Sequence, residues 1–302
     1  MSSSLLTNSS AMTALQTLRN VSSQLATTQN RISTGQRVAT ASDNAAYWSI
    51  ATSMRADNAA LSAVSDSLGL SAATVDTEYT ALTSVIGDSS SGLTKLQSLL
   101  VQAKTAGIDR TKIQADITQI QQQMNGTADA ATFNGVNWLS TTATTPATFS
   151  LVSSYSRVGS TPTTGSISLT VANYSLYTAT QTGILDKVSG TASVNTISIS
   201  ALTDSTADMT TLDGYIAQVT TAINSVASAA ADLGAVKTRI STNTDFVKSL
   251  MDSIDRGIGQ LVDADMNQES TRLAALQVQQ QLGVQALSIA NNSSQSILSL
   301  FR

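Results

Sequence analysis

The sequence predicts a mainly α-helical protein, in which the N- and C-terminal flanks form a long antiparallel helical bundle or coiled coil around a small β-containing central insertion. Both prolines of the 302-residue chain, Pro146 and Pro162, lie near its middle. Because proline breaks helices, the two flanks are free to be helical and the centre is not. Apolar residues recur every three or four positions in the flanks, whereas the centre contains short alternating runs.

The first flank opens with a weak coiled-coil seam of alternating three- and four-residue steps. Its members are Ala11, Ala14, Leu18, Val21, Leu25, Thr28 and Ile32. A break follows, in which Gly35 suits a helix end and Ser42–Asn44 offers side-chain acceptors for the next helix start. The alternation then resumes and predicts a helix from about Asn44 to Ile86, roughly 60 Å long.

The rest of this flank predicts a helix that returns after a turn. The Ser-rich run Gly87–Gly92 predicts the turn, and the apolar positions between Leu93 and Met124 predict the returning helix. Gly107 is expected to weaken or split that helix. The Asn-Gly pair within Phe133–Leu139 then predicts a hairpin turn.

The centre lacks helical periodicity. Ile167–Val171 and Val194–Ile199 are short alternating runs that indicate strands or loops. Because Ser and Thr dominate around them, we expect this region to lack a hydrophobic core. The predicted divisions are 1–43 and 257–302 as the terminal helices, 44–140 and 201–256 as the two parts of a helical bundle, and 141–200 as the central region.

The second flank mirrors the first. Helical spacing resumes at Leu212 and continues to Ile254, after which Gly257 and Gly259 are expected to interrupt the helix as Gly35 does. The last segment, from Asp263, is again helical and ends in several apolar residues. Burial of a large apolar side chain stabilises by about 1.5–3 kcal/mol, so this end requires a partner, either the N-terminal helix or another copy.

Composition removes most other classes of protein. Without histidine or cysteine, the chain lacks the commonest general base and metal ligand, as well as disulfides and thiolate chemistry. Asp263 and Asp265 lie two positions apart and would point to different helix faces, so no metal site, cofactor or enzymatic activity is expected. No basic cluster favours nucleic acid, and no apolar run is long enough for a membrane span. The first ten residues do not predict a cleaved signal peptide.

Three motifs resemble those of one family, the bacterial flagellins. Arg31–Val38 reads RISTGQRV and is followed by DNAA from Asp43, as in the family's N-terminal signature. Leu261–Met266, LVDADM, with Glu269 after it, resembles the C-terminal signature. The turn FNGV at Phe133 is similar to the one before the family's variable region. Further similarities, at Asn44–Trp48, Met266–Asn267 and Ser299–Arg302, are to the alphaproteobacterial, rhizobial type.

The resemblance implies a subunit of the helical flagellar filament, in which the terminal helices form an inner tube, the adjoining long helices form an outer one, and the central region faces solvent. It implies export of the unfolded chain by the flagellar type III apparatus, and hence an extracellular location. Its implied partners are copies of itself and other flagellins, an export chaperone for the C-terminal helix, the cap protein and the hook–filament junction protein. The expected assembly interface comprises Leu18, Leu25, Arg31, Ile32, Gly35, Arg37, Asp43, Asn44, Leu261, Asp263, Asp265, Glu269, Leu282, Leu287, Ile297, Leu300 and Phe301.

The chain departs from the segments of the family that host receptors bind. Flagellins detected by the plant receptor carry Lys-Asp-Asp where this chain has Ser42-Asp43-Asn44. The helix epitope of the vertebrate receptor aligns with Leu93–Gln102, which lacks its second Arg and its Glu. The altered positions are Ser42, Asn44, Lys95, Gln97 and Ser98. Because hydrogen bonds to charged groups contribute about 1.5–3 kcal/mol each, we expect weak or absent recognition by both receptors.

Two alternatives remain open from the sequence. A hook–filament junction protein of the same family shares the terminal helices, although it seldom carries all three motifs. A secreted coiled-coil adhesin or binding module would instead use the central β region as its binding face.

Overall fold

The computed structural model describes residues 8–142, 145, 147–159, 161–190 and 192–300 and confirms the mainly α fold. The α-helices are α1 (Ser9–Thr34), α2 (Ala45–Ile86), α3 (Gly92–Gln102), α4 (Arg110–Ala130), α5 (Thr206–Val262) and α6 (Met266–Leu300). The strands are β1 (Ser140–Thr141), β2 (Thr148–Val158), β3 (Thr161–Thr170) and β4 (Tyr177–Thr178), with short 3₁₀ helices at Val171–Asn173 and Val194–Thr196.

The chain divides into two compact units. One contains the described residues up to Ala59 and from Asp252 onward, and the other is Ala60–Met251. The first therefore contains α1, α6 and the adjoining ends of α2 and α5, and the second contains the remaining elements. We call them the terminal unit and the middle unit.

Side-chain contacts join the helices of the middle unit. Gln97 of α3 donates a hydrogen bond to the hydroxyl of Thr220 on α5 at 2.8 Å, and Lys237 of α5 forms an ion pair with Asp76 of α2. Each helix buries apolar residues that recur at helical spacing. Among these buried residues are Leu68, Val75, Leu82, Leu93, Leu100, Ile117, Met124, Leu212, Val219 and Val226.

Glycine makes the turn between α2 and α3 possible. Gly87 and Gly92 have φ angles of 65° and 64°, a conformation that other residues rarely adopt. A Cβ at Gly87 would lie 2.2 Å from the carbonyl oxygen of Ser91, so no larger residue fits. The predicted turn is confirmed, and so is the predicted split of the returning helix, because α3 ends before Gly107 and α4 begins at Arg110.

The centre has a hydrophobic core, so the prediction of a coreless region was wrong. β2 and β3 form an antiparallel hairpin, and β1 pairs in parallel with β4. The centre of the Trp138 ring lies 5.5 Å from the centre of the Phe149 ring and 6.3 Å from that of the Tyr174 ring. Composition hid this core because its few apolar residues are far apart in sequence and converge only when the strands pair. Its buried members include Trp138, Leu139, Tyr174, Leu176, Tyr177 and Leu185.

Val194–Ile199 forms no strand in the structure. It begins as the 3₁₀ helix Val194–Thr196 and continues as a loop that buries Val194, Ile197 and Ile199. Two glutamines of α4 satisfy its backbone: Gln121 donates to the carbonyls of Val194 and Ile197, and Gln114 accepts from the Ile199 N–H at 2.7 Å. Because side-chain amides take the hydrogen bonds, the alternating run needs no partner strand.

The predicted interruption at Gly257 and Gly259 was also wrong. α5 continues through both glycines to Val262, and the helix break falls at 263–265 instead. A Cβ at Gly257 would lie 2.8 Å from Cε of Met54, so this glycine makes room for a packed side chain rather than ending a helix.

Candidate assembly interface

α1 and α6 of the terminal unit pair along the predicted seam. All seven seam residues of α1 are buried or half-buried, whereas most other residues of α1 are exposed. A Cβ at Gly283 would lie 3.0 Å from Cδ1 of Leu18, so a small residue lets the two helices approach closely. The buried or half-buried positions of α6 also alternate four and three apart, which is coiled-coil spacing. They are Glu269, Leu273, Leu276, Gln280, Gly283, Leu287 and Ala290.

Polar contacts fix both ends of this pair. At one end, the Asn8 side chain caps α1 by accepting from the Ala11 N–H, and it donates to the carbonyl of Ala290 at 3.0 Å. At the other end, Nη1 of Arg31 lies 3.1 Å from Oε1 of Glu269, whose residue is only 5% exposed. Arg31 and Glu269, both expected in the assembly interface, thus form an ion pair within one subunit. Their contacts with neighbouring subunits stay a prediction.

The two helix breaks of the terminal unit bind each other through their backbones. The Arg37 N–H donates to the carbonyl of Val262 at 2.6 Å, and the Ala264 N–H donates to the carbonyl of Gly35 at 2.9 Å. Gly35 ends α1 with a φ of 69°, as the sequence predicts. These bonds satisfy backbone groups that the ends of α1 and α5 would otherwise leave unpaired.

Side chains reinforce this junction. The Arg37 guanidinium donates to the carbonyl of Leu261 at 3.0 Å and lies 5.9 Å from the centre of the Tyr47 ring. Gln36 and Asp263 form an antiparallel bridge. The structure therefore brings together Gly35, Arg37, Leu261 and Asp263, which the sequence placed in the interface without assigning them to each other.

Three polar residues of the breaks accept hydrogen bonds from nearby backbone N–H groups, and two of them cap helices. Asp43 accepts from the Thr40 and Ala39 N–H groups, and the Thr40 N–H above all holds the pKa of this carboxyl below its usual range. Asn44 caps α2 by accepting from the Tyr47 N–H at 3.1 Å. Asp265 caps α6 by accepting from two N–H groups of its first turn. The Asn44 cap confirms the helix start predicted at the first break.

A second apolar face of α6 remains in water. Val278, Leu282 and Ile289 are 54%, 58% and 69% exposed, and their spacing of four and seven residues places them on one side of the helix. We call these three residues the outer stripe. Leu282 was expected in the interface, but the structure excludes it from the α1–α6 seam. Sequence reasoning missed Val278 and Ile289, although their position out of phase with the seam was a readable signal.

The other predicted positions fall in several places. Leu25, Ile32 and Leu287 are half-buried in the seam. Two of the three predicted residues near the C-terminus, Ile297 and Leu300, belong to α6. The third, Phe301, lies outside the described residues. The receptor positions lie at the first break (Ser42, Asn44) and on α3 (Lys95, Gln97, Ser98).

Two other features are absent from the described residues. Within them, no three acidic side chains come together as metal ligands would. No helix in this part of the chain has both the length and the hydropathy that spanning a bilayer requires.

Comparison with known proteins identifies the family. Residues 5–144 match the bacterial flagellin N-terminal helical region, and residues 216–301 match the bacterial flagellin C-terminal helical region. The chain is 44% identical over 326 residues to flagellin C of Rhizobium meliloti strain 1021 and 46% identical over 300 residues to a flagellin of Brucella melitensis, with 99% of each chain covered in both cases. Flagellin A of the same Rhizobium strain is 40% identical over 400 residues, with 99% of this chain and 100% of the relative covered. The chain therefore belongs to the bacterial flagellin family.

Proposed function

We infer that this chain is the structural subunit of a helical flagellar filament used for swimming, and that copies of it contact one another through the terminal unit. The exposure of the outer stripe of α6 is the main support for assembly through the terminal unit. Three large apolar side chains lie side by side on a helix whose opposite face already contacts α1. Burying each of them would stabilise by about 1.5–3 kcal/mol, which a neighbouring subunit in a filament can supply.

The α1–α6 pair is weakly stabilised by itself. Three of the seven seam positions on α1 are Ala or Thr, and Gly283 and Gln280 occupy two positions on α6. Such small or polar residues bury little apolar area to offset the entropy lost when both helices become ordered. We propose that the terminal helices are disordered in the free subunit and become ordered on assembly, when contacts between subunits add the missing area.

The remaining partners follow from membership in the family. We propose that the chain leaves the cell through the flagellar export apparatus and becomes part of an extracellular filament, alone or with other flagellins. An export chaperone would cover the outer stripe before assembly, and the cap and hook–filament junction proteins would contact the two ends of the filament. Flagellins are structural proteins, and we propose no catalytic role for this one.

A junction protein and an adhesin are not favoured by the relatives. The three relatives named above are flagellins, and the alignments cover 99% or more of each of them. These matches extend through the central region and do not stop at the terminal helices that junction proteins share.

Deletion of the last nine residues, 294–302, tests the assembly proposal. We expect the purified full-length chain to form long filaments at neutral pH in electron micrographs, and the shortened chain to stay monomeric. Because the middle unit ends at Met251, its helical circular dichroism and its thermal unfolding should remain in the shortened chain. Filaments formed by the shortened chain, or a monodisperse full-length monomer, would contradict the proposal.

We also propose that host flagellin receptors recognise this chain weakly or not at all. Ser42 replaces a lysine of the plant-recognised form, and its hydroxyl instead lies 2.7 Å from that of Thr40. On α3, Gln97 is already bonded to Thr220. In cells that report receptor activation, we expect this flagellin to need at least about a hundredfold higher concentration than a flagellin with the full epitopes, since two lost charged hydrogen bonds suffice for that. A response of equal potency would refute this.

A further inference from the structure

The chain contains the dipeptide Asn-Gly twice, in two different conformations. Asn125–Gly126 lies inside α4, whereas Asn134–Gly135 forms a turn four residues after that helix ends. Asn-Gly is chemically labile because glycine has no Cβ to hinder its backbone nitrogen from attacking the asparagine side chain. The two pairs therefore allow the effect of conformation to be separated from that of sequence.

The turn leaves its Asn-Gly pair open to reaction. Asn134 and Gly135 have φ angles of 50° and 77°, and Phe133 and Val136 exchange two backbone hydrogen bonds of 2.9 Å, as in a type I′ hairpin turn. Both turn residues are exposed, and no atom lies within 4 Å of the place that a Cβ of Gly135 would take. Within the described part of the chain, neither the Gly135 N–H nor the Asn134 amide has a hydrogen-bond partner.

The helix protects the other pair. Gly126 lies in the interior of α4, where its N–H is bonded to the carbonyl four residues earlier. On either side of this pair, Met124 and Ala128 are buried, so the helix cannot open here without exposing apolar surface. Opening of a packed helix costs far more free energy than opening of a two-residue turn held by two hydrogen bonds.

We propose that Asn134 is a site of spontaneous deamidation, with water as the co-reactant. The backbone nitrogen of Gly135 loses its proton and bonds to Cγ of Asn134, and the side-chain nitrogen leaves as ammonia to give a five-membered succinimide. Water then adds to one of the two succinimide carbonyls and opens the ring. When water adds at Cγ, the bond between Cγ and the Gly135 nitrogen breaks and the product is aspartate. When water adds at the backbone carbonyl carbon, the bond between that carbon and the Gly135 nitrogen breaks and the product is isoaspartate.

Either product changes the turn. Each adds one negative charge to a chain whose formal net charge is −4, and isoaspartate also inserts an extra carbon into the backbone between Phe133 and Val136. Because these two hydrogen bonds close a two-residue turn, we expect the longer backbone of isoaspartate to disrupt them. The fraction of subunits altered at residue 134, just before the central region, should therefore increase with time after synthesis.

Peptide mapping of the full-length protein tests the proposal. Protein is incubated at mildly alkaline pH, folded or in denaturant, and then digested with a protease that cuts before aspartate. The digest separates 116–128, with Asn125, from 129–185, with Asn134. Aspartate at 134 adds a new cut and isoaspartate does not, so the two products are distinguished, and each carries the mass of an amide replaced by an acid.

In the folded protein we expect deamidation at Asn134 to be at least about tenfold faster than at Asn125, and in denaturant we expect comparable rates. Asn134→Gly, which keeps a residue suited to positive φ, should remove the folded-state product, whereas Asn125→Gln should not change it. Equal rates in the folded protein, faster reaction at Asn125, or no reaction at Asn134 while the denatured chain reacts, would each overturn the proposal.

Discussion

Replacing Val278 and Leu282 together with lysine is expected to abolish filament formation. In an assembled filament, each lysine would place a charge where an apolar side chain is expected to be buried, and burying an unpaired charge costs several kcal/mol. Because the outer stripe lies outside the α1–α6 seam, the substitutions leave every seam residue of both helices unchanged. Sedimentation and electron microscopy measure polymerisation, and circular dichroism checks that the helices of the middle unit are retained.

The matched control places the same two charges elsewhere on the helix. Gln279 and Gln281 are exposed neighbours of the outer stripe, and Gln279→Lys with Gln281→Lys should still polymerise. If the control and the stripe variant polymerise equally, the stripe is not a contact between subunits.

Replacing Glu78 with glutamine is expected to stabilise the middle unit at neutral and alkaline pH. The residue is fully buried on α2, and Oε1 of its carboxyl accepts a hydrogen bond from the backbone N–H of Trp138 at 2.8 Å. Burial raises the pKa of this carboxyl from its ordinary value of 4.5 to about 8, against the smaller opposing effect of the Trp138 hydrogen bond. Glutamine keeps an acceptor for Trp138 and removes the charge.

The sign of the pH dependence follows from the raised pKa. Folding favours the protonated carboxyl, so the stabilisation is complete below pH 4.5, decreases as the pH rises and is lost above about 8. The full shift corresponds to about 5 kcal/mol. The difference in free energy of unfolding between Glu78→Gln and the parent chain should therefore grow towards this size between these two pH values.

Urea unfolding followed by tryptophan fluorescence measures this difference, since Trp138, beside the carboxyl, contributes to the signal together with Trp48. Asp116→Asn, which neutralises an exposed carboxyl on α4, is the control and should give no comparable rise. A difference that does not change with pH would show that the Glu78 carboxyl ionises at its ordinary pKa in the folded chain.

Local patterns predicted the elements of this structure better than the contacts between them. The seven-residue seam of α1 was readable because three- and four-residue steps fix one helix face, and Gly35 and Asn44 end and start helices through their own backbone or side chain. The FNGV turn was readable for the same reason, since its hydrogen bonds close between Phe133 and Val136.

Contacts between distant residues were not predictable in this way. The spacing of α2 placed Glu78 on its apolar face, but only the fold brings it to Trp138, 60 positions away. Nothing local distinguishes Gly257, which packs against Met54 inside a helix, from Gly35, which ends one. The partner of Arg31 was likewise hidden, because Glu269 lies 238 positions along the chain.

The distance along the chain between the two terminal helices also determines the order in which the subunit can fold. Asn8 and Ala290, which share a hydrogen bond, are 282 positions apart in the chain. By contrast, the β2–β3 hairpin and the α3–α4 pair close over short loops. Closing a long loop costs more chain entropy than closing a short one. Neither α1 nor α6 has its partner until nearly the whole chain is present, so we expect the terminal pair to be the last part of the subunit to form.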